Sequence, residues 1–210
     1  MTPTIPLLAL NVQVVRGGPP NAGHRVGCGY RDSREAALDE NTRIQLRLLR
    51  EIRDALAAAG VCWWLFGGWA VDFHAGEVTR DHADIEFFVL EENAGAVRAA
   101  LVAAGFLAPP GLHPDEGQPF VKDGQECGSH YLRPDPSGRL FTPGRWADWP
   151  WAEGSFDGPP VTLDGLELLA MSPEGLLDIK LNFHTHPHGA PLRPKDIADI
   201  ERLQALIAHR

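Results

Sequence analysis

The stretch from Trp63 to Leu90, WWLFGGWAVDFHAGEVTRDHADIEFFVL, constrains this chain more than any other. An apolar run ends in the pair Gly67 and Gly68. About two helical turns follow from Trp69 to Gly76, and Asp84 and Glu86 then alternate at the head of DIEFFVL. That last run is bulky and partly β-branched, so it reads as a strand. Residues i and i+2 of a strand share a face, which puts Asp84 with Glu86 and sends Ile85 and Phe87 the other way. Two neighbouring carboxylates raise the cost of ionising one another unless a cation lies between them. Mg²⁺, which accepts one or two carboxylates together with substrate phosphate oxygens, is the natural occupant. A strand that ends in Gly-Gly and leads into a helix also brings bare backbone N–H groups, and the positive end of the helix, close to an anion. Taken alone, Gly-Gly is usually a tight turn and DxE a solvated edge; together they describe a nucleotide site.

The pattern GGW-A-V-D followed by G-x-V-T-R-x-H-x-D-I-E resembles the aminoglycoside and lincosamide nucleotidyltransferases of the polymerase-beta-like superfamily. The matching residues are Gly67, Gly68, Trp69, Ala70, Val71, Asp72, Thr79, Arg80, His82, Asp84, Ile85 and Glu86. The match is firm over residues 40–90 and looser over 160–205, where RPKDxxD (Arg193 to Asp199) resembles the family's closing segment. The resemblance implies an α+β fold, a mixed sheet covered by helices with a C-terminal helical piece. It implies transfer of a nucleoside monophosphate from a nucleoside triphosphate to a hydroxyl of a small acceptor, aminoglycoside- or lincosamide-like, with release of pyrophosphate. Two Mg²⁺ ions would be held by Asp84 and Glu86, and Gly67 and Gly68 would position the triphosphate. Glu86 stands where the family usually has Asp, and its extra methylene moves the charge outward by about 1.5 Å. On the resemblance, Glu86→Asp should preserve or raise activity. A third carboxylate is expected from a neighbouring strand. It falls at Glu126, as a metal ligand or as the acceptor of the hydroxyl's proton, or its position falls at Gly128 and the site has two acids. A member that kept the fold as a non-catalytic nucleotide binder or antitoxin is the alternative reading.

Other residues around these motifs have two readings each. Arg80 could neutralise a triphosphate and His82 donate to it or orient Asp84, or Arg80 could simply pair with Asp81 or Glu77. Lys180 and Lys195 are candidates for phosphate contacts, since lysine is a mobile point charge; a salt bridge is the plainer role. Asp72 reads first as a helix-surface acid. His184, His186 and His188 alternate in HTHPH, but the spacing fits no common zinc pattern, so a polar loop at a cleft rim is expected. Trp146, Trp149 and Trp151 cluster in a Pro/Gly-containing loop that serves as a substrate wall or as loop packing.

Charge and cysteines narrow the class further. The 210 residues carry 19 basic and 28 acidic side chains, a net charge of −9, and no basic patch. Binding to a nucleic-acid backbone would need one, so no nucleic-acid partner is expected, and a cationic small molecule suits the surface better. Three cysteines without CxxC spacing point to a reducing, cytoplasmic setting. No apolar run reaches membrane-spanning length, and no positive region precedes the short apolar stretch at the N-terminus.

Three regions follow from turn and helix signals. Residues 1–31, rich in Gly and Pro, read as a flexible extension in which Leu7–Val15 could dock as a strand. Residues 32–170 form the nucleotidyltransferase domain, and 171–210 a helical segment packed on it. Helices are expected over Ser33–Ala59, from an Asn93 cap to Ala104, from a start at Ser172, Pro173 and Glu174 through Leu176–Phe183, and from Pro194 to about His209. Strands are expected at Val61–Phe66 and Asp84–Leu90. Hairpins are expected around Asp123-Gly124 and Asp164-Gly165, with a further strand at Arg139–Thr142.

Overall fold

Leu48, Leu49, Ile52 and Leu56 recur at helical spacing and are fully buried along one stripe of the first helix, α1 (Glu40–Ala58). The computed structural model describes residues 39–111 and 113–209. The expected extension at 1–31, its strand Leu7–Val15, Cys28 and the first turn expected from Ser33 lie outside them. The helix starts at Glu40 because Asp39 caps it, accepting a hydrogen bond from Thr42 N at 2.6 Å. It ends at Gly60, whose φ of +67° turns the chain out of the helix.

The strands that follow are β1 (Trp63–Phe66), β2 (Asp84–Leu90), β3 (Gly117–Lys122), β4 (Gln125–Pro134) and β5 (Leu140–Phe141). They form one sheet in the order β1-β2-β4-β3, with β5 pairing to β4. β1 runs antiparallel and β4 parallel to β2, while β3 runs antiparallel to β4. Between β1 and β2 lies helix α2 (Gly67–Ala75), which begins at Gly67 itself, two residues before the expected start. Helix α3 (Ala94–Ala103) follows a 3₁₀ turn at Glu91–Asn93, and Asn93 makes no side-chain cap. The alternation expected of β2 is present. Ile85, Phe87 and Val89 are fully buried on one face, and Asp84 and Glu86 are partly buried on the other.

Both expected hairpins occur. Asp123 and Gly124 have φ values of 51° and 76°, and Asp164 and Gly165 of 50° and 67°, so both turns have two left-handed central residues. The second turn joins β6 (Val161–Leu163) to β7 (Leu166–Leu168), a separate ribbon. Beyond it the chain returns beside β1: Leu65 N–H donates to Leu169 O (2.8 Å) and Met171 N–H to Leu65 O (2.9 Å). This return delivers α4 (Pro173–Asn182), capped by Ser172, and then α5 (Pro194–Ala208), against α2. Helix α4 thus begins at the start expected from Ser172, Pro173 and Glu174. No helix among the described residues is long and apolar enough to cross a membrane.

Candidate active site

The carboxylate face is set by strand register. Asp84 is the partner of Glu126 across the parallel β2–β4 ladder, Glu86 of Gly128, and Phe88 of His130. Asp84, Glu86, Glu126 and His130 therefore share one face. A carboxylate stands beside Asp84, while glycine stands beside Glu86. His130 leans into the space that glycine leaves: a Cβ on Gly128 would lie 3.6 Å from His130 Nε2. That nitrogen is 3.4 Å from Glu86 Oε1, within ion-pair reach but without the alignment of a hydrogen bond. Burial, and then the charge of Glu86, push Asp84 up to about 7, with Glu126 adding to the effect and Lys195 and Arg193 opposing it.

Glu86 also meets the glycine turn. Gly67 has φ +66°, and a Cβ there would sit 2.5 Å from Glu86 Oε2. Antiparallel pairing of Phe66 with Glu86 makes this approach. The turn is thus glycine for two reasons, left-handed backbone and contact with the carboxylate.

Gly68 has a different neighbour from the expected one. A Cβ there would strike Arg80 Nη2 and come within 2.5 Å of His82 Nδ1. Arg80 Nη1 lies 3.0 Å from His82 Nδ1. Arginine only donates, so Nδ1 accepts, and the proton on Nε2 goes to Asp72 Oδ2 at 2.6 Å. Asp72, fully buried, also accepts from the Thr79 hydroxyl and from Thr79 N. The His82 ring lies over Trp69 with centroids 4.4 Å apart, and the Trp69 indole N–H donates to Gln45. Asp72 is therefore the centre of a buried network, not a helix-surface acid.

The ion pair of Arg80 is with the C-terminal helix and not with the carboxylate of Asp81 or Glu77, although its Nη1 donates to Asp81 O at 3.0 Å. Its Nε and Nη2 donate to the two oxygens of Asp199 at 3.2 and 2.9 Å. Lys180 Nζ reaches the same carboxylate at 2.8 Å and Asp196 at 3.7 Å. Burial acts to raise Asp199, but Arg80 and Lys180 outweigh it and hold the group below the usual carboxylate range. Asp196 behaves alike: burial raises it, yet hydrogen bonds from Arg193 bring it to about 2. Of the expected phosphate-binding cations, Lys195 alone makes no ion pair within the range of a salt bridge among the described residues. Burial, then Arg193, lower it, while Asp84 raises it. Arg193, capped onto Asp196, lies close enough to Glu86 and Asp84 to be influenced by both.

No group of three His, Cys, Asp or Glu side chains among the described residues forms a ready-made metal cage. The donor set fits a hard cation nonetheless. Two oxygen donors share a face, one is pushed up by burial and like charge, and Mg²⁺ completes its shell with substrate oxygens and water. The HTHPH loop packs on tryptophan: Trp146 stacks on His186 at 4.6 Å and on Phe183 at 5.3 Å.

Sequence reasoning singled out the glycines and both acids. It missed His130 as a neighbour of Glu86, Asp199 as the shared partner of Arg80 and Lys180, and Arg193. Alternation along β4 puts His130 on the face of Glu126 and Gly128, and only pairing with β2 brings it to Glu86; Asp199 lies 119 residues from Arg80, and no local pattern links them.

The mixed sheet and its covering helices are those of the polymerase-beta-like nucleotidyltransferase fold, as comparisons with known proteins show. ANT(2'')-Ia in complex with adenylyl-2''-tobramycin has TM-score 0.60 at 22% identity, over 79% of this chain and 96% of that one. The solution structure of ANT(2'')-Ia gives 0.59 at 21%, over 80% and 91%. The lincosamide antibiotic adenylyltransferase LnuA, lincomycin-bound, gives 0.60 at 21%, over 76% and 96%. At these identities the likeness establishes the fold. No curated protein matches the sequence. The family model described as aminoglycoside-2''-adenylyltransferase matches residues 48–203, and the chain belongs to that family of enzymes.

Proposed function

We propose that this enzyme transfers a nucleoside monophosphate from a nucleoside triphosphate to a hydroxyl of a small acceptor in a Mg²⁺-dependent reaction. The observation that carries the reading is the shared face of Asp84 and Glu86, with Gly67 on one side and Lys195 and Arg193 within electrostatic reach. Asp84 and Glu86 would hold the metal, which when bound supplies neutralising charge to the phosphates. Lys195, half-buried and without an ion pair among the described residues, binds the triphosphate, and Arg193 supports it. Glu126, exposed beside Asp84, adds a third ligand or takes the hydroxyl's proton. The acceptor oxygen forms a bond to the α-phosphorus, the bond to the β-phosphate oxygen breaks, and pyrophosphate leaves.

Arg80, His82 and Lys180 hold the site together on this reading without touching phosphate, because their charges and hydrogen bonds are already used by Asp199, Asp72 and Asp196. Gly68 makes room for that framework. The relatives' acceptors, tobramycin and lincomycin, make antibiotics the first compounds to try. Pyrophosphate release with each nucleoside triphosphate, with and without Mg²⁺, across amino-sugar and lincosamide acceptors tests the proposal. Asp84→Asn serves as the control. Acceptor-dependent release that needs Mg²⁺ and disappears in the variant is expected; nucleotide binding without transfer to any acceptor would overturn it.

A further inference from the structure

Glu86 has a longer side chain than Asp84, and a longer side chain loses more rotamer freedom when it is held in one place. Three neighbours bear on that freedom. Gly128, its register partner on β4, leaves the strip beside it without a side chain. His130, two residues along the same strand and face, sends its ring into that space: a Cβ on Gly128 would lie 3.6 Å from Nε2 and 4.0 Å from Cε1. On the other side is Gly67, where a Cβ would lie 2.5 Å from Glu86 Oε2.

The His130 ring is itself held in place. It meets Phe66 edge-on, with centroids 6.1 Å apart and planes at 82°, and it packs on Phe88 at 5.5 Å. Trp151 backs Phe88 at 5.4 Å. Packing thus sets the direction of Nε2, which is buried and has no hydrogen-bond partner among the described residues. It faces Glu86 Oε1 at 3.4 Å, and no other basic nitrogen among the described residues comes within ion-pair range of Glu86. A buried ring nitrogen normally has a partner. An ionised carboxylate only accepts, so the proton belongs on Nε2, and the neutral ring suffices. A carboxylate has about four lone-pair sites, so donation to one leaves others for a cation. An aspartate at this position, shorter by about 1.5 Å, would fall out of reach of the ring.

We propose that His130 is a positioning residue for Glu86: its Nε2–H donates to Oε1 and fixes the carboxylate in the place from which it holds the metal. His130 touches neither metal nor substrate in this role and acts through Glu86 alone. The inference rests on the reading in which Glu86 is a metal ligand. It also gives Gly128 a purpose, since the glycine makes room for an imidazole where a side chain would stand between the ring and the acid.

The test is the affinity of the full chain for Mn²⁺ alone, read from the electron paramagnetic resonance of the free ion, with no nucleotide or acceptor present. His130→Leu keeps apolar bulk between the two phenylalanines and removes the donor; it should weaken Mn²⁺ binding about tenfold. His130→Gln, whose side-chain amide can still donate to Glu86, should recover most of that loss. In Glu86→Asp, whose carboxylate lies back from the ring, the same His130→Leu change should weaken binding less than about twofold, because the two sites are then uncoupled. Gly128→Val, which crowds the ring out of its space, should act as His130→Leu does and serves if that variant does not fold. Should Glu86→Asp bind too weakly to titrate, the contrast between His130→Gln and His130→Leu decides. Equal weakening by His130→Leu beside either acid would make His130 a direct ligand, and unchanged Mn²⁺ affinity would make it packing alone; either result overturns the proposal. Mn²⁺ binding that is lost in Asp84→Asn yet indifferent to His130→Leu overturns it and leaves the metal reading standing, whereas a wild type that binds no Mn²⁺ removes both.

Discussion

Asp84 and Glu126 are register partners on the parallel β2–β4 ladder, on the face that Glu86 also occupies. Like charge on this face, added to burial, keeps the Asp84 carboxyl protonated up to about pH 7 in the metal-free protein. A carboxyl raised in the folded state contributes stability that is complete below its unfolded value of about 4 and is lost as pH rises through about 7. The metal-free protein should therefore lose stability between those limits, on the order of 4 kcal/mol, and Asp84→Asn should remove that slope. Urea denaturation from pH 4 to 8 measures it. Mg²⁺ should stabilise the wild type increasingly as pH rises and leave Asp84→Asn unchanged; equal slopes for the two proteins would take Asp84 out of the account.

Asp199 is 99% buried and answers two cations from different elements, Arg80 after α2 and Lys180 on α4. Removing its charge leaves Arg80 without its ion-pair partner and Lys180 with only Asp196, at 3.7 Å. Asp199→Asn should cost about 3 kcal/mol. Asp199→Asn combined with Lys180→Met should recover part of that, because only one cation then lacks its partner. A denaturant series on the wild type, Asp199→Asn, Lys180→Met and the double variant gives the coupling; additive losses would show that Lys180 and Asp199 act independently.

What the sequence revealed and what it hid follow from the range of each interaction. The turn at Gly67, the face shared by Asp84 and Glu86, and both Asp-Gly hairpins depend on residues within a few positions of one another, so period and turn chemistry disclose them. Glu126 and Gly128 could both be placed on the right face by alternation alone, but only pairing of β4 with β2 shows that Glu126 meets Asp84 and Gly128 meets Glu86. The motif residues Arg80, His82 and Asp72 were legible as a group, while the pairing of Arg80 with Asp199 was not. A buried network and a phosphate site select the same residue types, and the difference lies in Asp199, far along the chain. HTHPH reads as a polar loop in sequence, and the packing of His186 on Trp146 depends on a loop whose path no periodicity specifies.

Gly68 offers a sharper case, since two physical accounts of one glycine differ in outcome. A phosphate cradle would lose nucleotide affinity on substitution and keep its stability. Crowding against Arg80 and His82, with His82 fixed by Asp72, instead predicts damage to the framework first. We expect Gly68→Ala to lower stability by about 2 kcal/mol, as overpacking does, with weaker nucleotide binding as a consequence. Denaturation and calorimetric nucleotide titration on the same preparation separate the two accounts. Normal stability with lost affinity would return the glycine to the phosphates.

Glu86→Asp tests the departure from the family pattern. The resemblance alone expects the shorter acid to preserve or raise activity. The surroundings of Glu86 argue the other way. Its Oε2 fills the space where a Cβ on Gly67 would be, at 2.5 Å, and its Oε1 faces His130 Nε2 at 3.4 Å across the gap left by Gly128. Drawing the carboxylate back by about 1.5 Å opens space at Gly67 and moves it away from His130, so the protein has adjusted to the longer side chain on both sides. If Glu86 holds the metal, the shorter acid leaves it poorly placed for the strict octahedron of Mg²⁺. We expect kcat/KM to fall on the order of tenfold in Mg²⁺, about 1.4 kcal/mol of transition-state stabilisation, and by less in Mn²⁺. Turnover of both proteins in both metals, on the acceptor that gives the highest wild-type rate, decides the matter. Unchanged or higher turnover of Glu86→Asp in Mg²⁺ would show that the contacts with Gly67 and His130 are incidental and that aspartate is the better ligand.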